Sequence, residues 1–233
     1  MKVDVPAKAA ADAKAAPACP CCGGTSFGPG PGGRLSRRGV APRCLRCGSL
    51  ERHRAGRDLL EKIRDRARFK EAAMLRFADE PLAAGGWFAS METSVFGTPG
   101  ALDPEAIARP DGAFGCIICY HVITRVADHR KALHELVRVL APTGLLLLSY
   151  PSPATRAETS DWGFADAKQH GSFRILGRDF ENEIVDCVRQ AHVMAVKVID
   201  PVTGDDDLVY LVTKDFFWVR RVLAGDIDVR LID

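Results

Sequence analysis

Two apolar runs, "FGCIIC" (114–119) and "GLLLLSY" (144–150), constrain this chain more than any other feature. Neither alternates between apolar and polar residues. Strands of that kind are covered on both faces, as in a parallel sheet packed under helices; a sheet with one wet face would show alternation. Between them, over 128–140, Leu133, Leu136, Val137 and Leu140 recur at helical spacing. Further strands are read at "AAMLRF" (72–77), "GWFAS" (86–90), "VMAVKVID" (193–200) and "DLVYLVT" (207–213). A second helix is read at 179–191, with Phe180, Ile184, Cys187, Val188 and Ala191 on one side and Asp179 near its N-cap. Strands alternating with helices predict an α/β domain on a doubly wound, mostly parallel sheet.

The first third of the chain has a different texture. Residues 1–18 are rich in Ala and Lys and short of large apolar groups, so they read as a flexible tail. Residues 19–48 are dense in Gly, Pro, Arg and Cys and need a staple to hold any structure. A helix is expected after Ser49, a good N-cap, with Leu59, Ile63 and Ala67 as its apolar stripe. The division that follows is a tail (1–18), a cysteine-rich module (19–48), a linking helix (49–70) and an α/β domain (71–233). The full length of 233 residues, 47% of them hydrophobic, suffices for one such domain plus an appendage.

The staple is legible in the cysteines. "CPCCGG" carries Cys19 and Cys22, and "CLRCGS" carries Cys44 and Cys47. Two residues between ligands let both sulfurs face one ion, and the glycine after the second Cys lets backbone N–H groups approach the sulfur. Two such knuckles complete a tetrahedral thiolate site that suits zinc. The alternatives are reduced surface thiols or two redox pairs, and Cys21 is a spare that could displace Cys19 or Cys22. Cys116 and Cys119 are also spaced C-x-x-C, but on a strand residues three apart point to opposite faces. They and Cys187 read as buried small hydrophobes. Eight cysteines with no secretory signal point to a reducing cytoplasm.

Net charge is +2, which excludes a polyanion binder by overall charge. The charge is uneven, however: Arg34 to Arg57 contains eight arginines and one acid, Glu51. This cluster either offsets the thiolate charge or contacts a nucleic acid or an acidic partner. It has no interleaved aromatic, and so no base-stacking platform. The longest apolar run is too short to cross a membrane.

The stretch from Leu102 to Pro151 resembles the carboxyl half of the cofactor domain of class I S-adenosylmethionine-dependent methyltransferases. Asp103, Pro110, Asp111, Phe114, His121, Val122, Ala132, Leu133, Glu135, Leu136, Arg138, Val139, Leu140, Pro142 and Gly144 fall in register with that family's pattern. "CGSLERHR", "LRFADEP" (75–81) and "QHGSFRILGRDF" (169–180) look like motifs of a bacterial subfamily with a cysteine-rich N-terminal module, in which the first strand ends in "LHVAPE". The resemblance covers roughly residues 19–200. It implies a Rossmann-like sheet of seven strands with an antiparallel hairpin at its carboxyl end, and "DLVYLVT" suits the reversed strand.

The resemblance also implies S-adenosylmethionine as cofactor. Ala78 to Glu80 would approach its methionyl part, Glu92 would accept the ribose hydroxyls, and Asp103 with Ile107 would line the adenine slot. His121, after a strand end, would touch cofactor or substrate, or serve a structural role. Gln169 and His170 lie in a long loop as substrate candidates or ordinary loop residues. Several positions depart from the family. Only Pro81 to Gly86 separate Glu80 from Trp87, too few for a crossover helix. "FD" becomes Phe114-Gly115, "LEHV" becomes Ile123-Thr124-Arg125-Val126, and "PGG" becomes Pro142-Thr143-Gly144. The expectation is a divergent methyltransferase-like protein with weak or lost cofactor binding, serving as a zinc-containing binding or scaffold subunit for a protein partner. An active methyltransferase and an Arg-rich nucleic-acid binder stand as alternatives.

Overall fold

The computed structural model describes residues 17–64, 69–83, 85–151, 155–223, 225 and 227–232. The expected tail therefore lies outside the described residues up to position 16. Two short strands, β1 (Phe27–Gly28) and β2 (Arg43–Cys44), pair antiparallel in the cysteine-rich module. Helix α1 (Glu51–Ile63) follows, then β3 (Ala73–Arg76), β4 (Ser90–Thr93), β5 (Phe114–Tyr120), α2 (His129–Val139) and β6 (Leu140–Ser149). The chain continues through β7 (Ser160–Asp166), β8 (Ser172–Ile175), α3 (Phe180–Cys187), β9 (His192–Ile199), β10 (Asp206–Thr213), α4 (Phe216–Leu223) and β11 (Val229–Leu231).

Seven strands form one sheet in the order β11–β9–β10–β6–β5–β3–β4. The β4, β3, β5 and β6 neighbours are parallel. Strand β10 runs antiparallel to both β6 and β9, so "DLVYLVT" is the reversed strand that the resemblance implies. The sheet is covered on both faces, which is why β5 and β6 carry no alternation. Leu146 and Leu148 pack with α2 and α3, whereas Leu145 and Leu147 pack with α1 and α4. Cys116 and Cys119 are divided in the same way: both are fully buried, Cys116 on the α1 face and Cys119 on the α2 face. Burial pushes both thiols well above the ordinary range, Cys119 to about 12. Cys187 is buried on α3.

Four local expectations are corrected. "GWFAS" is not a strand: Gly85–Trp87 is a 3-10 turn, and the strand beside β3 is "SMET", four residues later than read. Trp87 and Phe88 are apolar because they pack sideways, Trp87 under Arg57 with the guanidinium carbon 3.9 Å from the ring centroid, and Phe88 against Phe69 at 4.9 Å. The first crossover is thus longer than read, residues 77–89, yet its described residues contain no α-helix. Ser49 is not the N-cap of α1. That place falls to Leu50, whose N–H donates to His53 Nδ1 at 3.0 Å, while the Ser49 hydroxyl turns to the cysteine sulfurs. Helix α3 stops at Cys187, short of the predicted 191.

Helix α1 is a layer of the domain: Ala55, Leu59, Leu60 and Ile63 are buried against the sheet. Gly56 makes this close. A β-carbon there would meet Tyr120 Oη at 2.6 Å and Leu82 Cδ2 at 2.7 Å, so the glycine lets both β5 and the crossover press on the helix. Gly115 likewise admits Ala72, whose Cβ would lie 2.7 Å from an added β-carbon.

Candidate functional site

The sulfurs of Cys19, Cys22, Cys44 and Cys47 all lie within 4.8 Å of one another. Cys19 and Cys47 are 3.8 Å apart and Cys22 and Cys44 are 3.6 Å apart. A tetrahedral ion with metal–sulfur bonds of about 2.3 Å sets its sulfurs ~3.8 Å apart, so the donor set fits such an ion. The glycines after each pair work as the spacing requires. Gly23 and Gly48 take left-handed backbone with φ of 74° and 73°, where other L-residues are strained. The next N–H, that of Gly24, donates to Cys22 Sγ at 3.4 Å. Ser49 Oγ lies 3.2 Å from both Cys19 and Cys47 sulfurs. Cys21 stays outside the cluster, its thiol 3.9 Å from the His53 carbonyl.

Most of the arginine cluster faces carboxylates of this chain. Arg34 forks onto Glu51 at 2.9 and 2.8 Å, Arg37 and Arg38 face Asp205, and Arg57 pairs with Glu61. Arg52 lies 3.6 Å from Glu80. Arg54 is fully buried and forks onto the fully buried Asp200, just past β9. Arg43 and Arg46 alone of the eight lack a carboxylate partner among the described residues.

The carboxyl ends of β5 and β6 carry the cavity that matters most. His121 follows β5 and Pro151 follows β6. Together with residues of the β7–β8 hairpin they line a space of about 510 Å³. Gln169 and His170 line it too, so the two predicted substrate residues and His121 are brought together. A second space of about 340 Å³, toward α1 and the cysteine-rich module, also has His121 and Pro151 in its wall. His121 Nε2 is buried without a hydrogen-bond partner. Burial, then the nearby Arg52 and His53, hold its imidazole well below the usual pKa, so it is neutral near pH 7.

The "GRDF" motif (177–180) follows directly on Leu176, the last lining residue, and anchors the segment behind the cavity. An added β-carbon on Gly177 would meet the Glu158 carbonyl carbon at 2.5 Å, so only glycine allows the two segments to touch. Asp179 accepts from Thr159 N and Oγ1 at 2.9 and 2.7 Å. Phe180 meets Tyr150 edge-on at 5.5 Å in the core. Arg174, almost fully buried, donates to the Val126 and Ala127 carbonyls, both at 2.7 Å, and to Asp161 at 2.6 Å. Thr124, Arg125, Arg156 and Arg174 were missed as lining residues. Thr124, Arg125 and Arg156 lie in loops and Arg174 in β8, opposite the largely exposed β7, so no apolar periodicity marks them.

The predicted cofactor residues do not converge. Glu80 accepts from His53 Nε2 at 3.0 Å, with Arg52 beside it. Burial raises the Glu80 pKa, but His53 and Arg52 outweigh it and hold it below the ordinary value. Burial lowers His53, against the pull of Glu80. Glu92 is in β4, forked onto Arg109 at 2.5 and 3.1 Å. Asp103 caps its own turn, accepting from Glu105 N at 2.9 Å, while the Ile107 N–H donates to Glu135. Ala78 is half-buried in the crossover. The acids that would receive a ribose and a methionyl amine already have cationic partners, so these residues do not fit S-adenosylmethionine in the expected way.

A doubly wound sheet with its cavity at the carboxyl ends of the strands is the architecture of an α/β ligand-binding domain. A family model described as a methyltransferase domain matches residues 55–182, and the chain belongs to the class I S-adenosylmethionine-dependent methyltransferases. The matched span excludes the four clustered cysteines. A demethylmenaquinone methyltransferase of Thermus thermophilus is 46% identical over 52 residues, 22% of this chain. That match spans about a quarter of the relative's length, 24%. Among solved structures, the 1,6-didemethyltoxoflavin-N1-methyltransferase of Burkholderia thailandensis is similar with a TM-score of 0.48 and 14% identity, over 70% of this chain and 78% of that one. A methyltransferase of Methanosarcina mazei has a TM-score of 0.38 at 14% identity, over 61% and 91%. No helix among the described residues is long and apolar enough to cross a membrane.

Proposed function

We propose that this chain is a divergent methyltransferase-fold protein with a weak or lost hold on S-adenosylmethionine, acting as a zinc-containing binding or scaffold subunit in the cytoplasm. The observation that carries this is the commitment of two of the three expected cofactor acids: Glu80 to His53 and Arg52, and Glu92 to Arg109. A ribose on Glu92 would have to displace a forked guanidinium, and charge-assisted forks are among the stronger protein hydrogen bonds. The crossover that would wall the cofactor is instead held against α1 through Leu82. Zinc is the ion assigned to the four thiolates, because closed tetrahedral sites of four cysteines are its structural form. The cysteine-rich module is the docking element for a protein partner. Calorimetric titration of S-adenosylmethionine tests the proposal: high-micromolar or weaker binding is expected, and low-micromolar or tighter binding overturns it.

The cavity at the carboxyl ends of β5 and β6 favours a second reading, an active methyltransferase whose acceptor lies against Gln169 and His170. A third, nucleic-acid binding by the Arg34–Arg57 cluster, draws support only from Arg43 and Arg46, since the other six arginines face carboxylates; binding that falls steeply with salt would select it.

A further inference from the structure

Among the described residues, two that are not glycine have positive φ: His121 at 56° and His170 at 55°. Both line the 510 Å³ cavity, from opposite sides of it in the chain, one at the end of β5 and one in the β7–β8 turn. Left-handed backbone is strained for an L-residue. Two such residues meeting in one cavity mark it as a built site, because local strain persists where surrounding structure imposes it and concentrates at ligand sites. The buried Nε2 of His121, which has no hydrogen-bond partner among the described residues, is a second observation that points to a ligand.

The lining gives the sign of that ligand. Among the described residues it contains Arg125, Arg156 and Arg174 and no Asp or Glu. Arg174 is neutralised by Asp161. Arg125 lies 5.4 Å over the Phe96 ring and has no carboxylate partner among the described residues; neither has Arg156. Arginines elsewhere in the chain mostly have such partners: even the densest cluster, Arg34 to Arg57, pairs six of its eight. Two guanidinium groups without a carboxylate partner therefore face one cavity with no acid in its wall among the described residues. Its apolar lining residues are Pro151, Ile175 and the fully buried Leu176. A space of about 510 Å³ is in the range that holds a small organic molecule.

We propose that this cavity binds a small organic anion, an apolar body bearing a carboxylate or phosphate, with Arg125 and Arg156 as counter-charges and His121 and His170 as directional hydrogen-bonding groups. The body rests on Pro151 and Ile175. This deepens the view of the sheet's carboxyl edge as the ligand-binding face, and it does not depend on whether S-adenosylmethionine binds.

The test uses the full chain without cofactor and four probes that share an aromatic body: phenylacetate, phenyl phosphate, phenylacetamide and benzylamine. Calorimetry reads affinity, and NMR reads the imidazole resonances of His121 and His170, assigned with H121N and H170N. Asn tolerates left-handed backbone, so these variants keep the local conformation. At least one anion is expected to bind tenfold or more tightly than the amide and amine and to shift both imidazoles; the tighter of the two anions identifies the head group. The double variant R125Q/R156Q is expected to lose at least tenfold in affinity with an unchanged melting temperature, because both side chains are exposed. The control R43Q/R46Q, which removes equal charge elsewhere, should bind as the parent does. The proposal is overturned if no anion shifts the imidazoles at millimolar concentration, if amide or amine binds as well as the anions, or if both double variants behave alike. Failure of the S-adenosylmethionine titration would leave these outcomes untouched.

Discussion

Replacing Asp200 with Asn should destabilise the protein by about 3–5 kcal/mol, the cost of leaving one member of a buried ion pair without its partner. Arg54 and Asp200 both have side chains with 0% exposure. Arg54 Nε and Nη2 donate to the two carboxylate oxygens at 2.7 and 2.6 Å, and Nη1 donates to the Pro42 and Ser49 carbonyls at 2.6 and 3.1 Å. Its guanidinium carbon also lies 5.4 Å from the centre of the Phe27 ring. One side chain thus ties α1, the end of β9 and the cysteine-rich module together. Asp200 in turn accepts from Thr203 N and Oγ1 at 3.0 and 2.7 Å. Asn keeps the volume and turns one acceptor into a donor facing a donor. Arg54→Met should cost a similar amount by leaving the carboxylate uncompensated. Removing both charges in Arg54→Met/Asp200→Leu should cost less than either single change, since apolar replacement of a buried pair is often neutral or better. Urea unfolding, followed by tryptophan fluorescence at fixed zinc concentration, completes a double-mutant cycle. Single losses below about 1 kcal/mol, or losses that simply add, would refute the view of this pair as a buried clamp.

Three further outcomes are expected. Elemental analysis should find one zinc per chain, lost in Cys44→Ser and retained in Cys21→Ser, whose sulfur lies outside the cluster; retention in both would show that another set of ligands holds the ion. Gly56→Ala should lower stability by about 1 kcal/mol in urea, because overpacking against Tyr120 and Leu82 outweighs the gain in helix propensity; a stabilised variant would contradict the packing described. Burial, opposed by Arg37 and reinforced by Asp206 and Glu51, raises the Asp207 carboxyl to about 6. A carboxyl with a raised folded-state pKa favours folding below its unfolded pKa and loses that favour as pH rises through the folded one. Asp207→Asn should therefore raise the melting temperature near pH 7.5 relative to the parent, and that advantage should vanish below about pH 4.

The parts of the fold that were legible in the sequence are those where burial acts on both faces. Strands β5, β6, β9 and β10 have few exposed positions, so their apolar runs announced them within two residues, apart from the first four residues of β6. Strand β4 is an edge strand with no fully buried residue, and its four residues carry no pattern. The apolar "GWF" beside it drew the assignment away because packing against Arg57 and Phe69 needs the same residue types as a strand. The hairpin β7–β8 leaves both faces of β7 largely exposed, so neither periodicity marks it. Gln169 and His170 were legible only through a resemblance to a motif. Their companions Arg125 and Arg156 lie far apart in sequence and meet only once the hairpin folds over the strand ends. Glu80 and Glu92 were placed from strand ends alone, and strand ends say nothing about a cation arriving from another element.

Helix α1 answers why "LERHRAGR" is so basic in a chain of nearly balanced charge. Its positions are used one after another. Glu51 receives Arg34 from the cysteine-rich module, Arg52 and His53 hold Glu80 of the crossover, and Arg54 holds Asp200 and the module's carbonyls. Gly56 admits Leu82 and Tyr120, and Arg57 covers Trp87. On a helix, residues three and four apart share a face, so residues 51, 52, 53, 54 and 57 spread round it and reach three separate elements. The positive charge is therefore mostly neutralised inside the protein, by Asp200, Glu80 and Glu61. Such pairing at α1 also holds the crossover, whose described residues contain no α-helix: Glu80 is hydrogen-bonded to α1 at one point and Leu82 is buried against it at another. A cofactor entering there would meet a surface whose carboxylate is already engaged, whereas His121, one strand further along the sheet, still has an unused nitrogen.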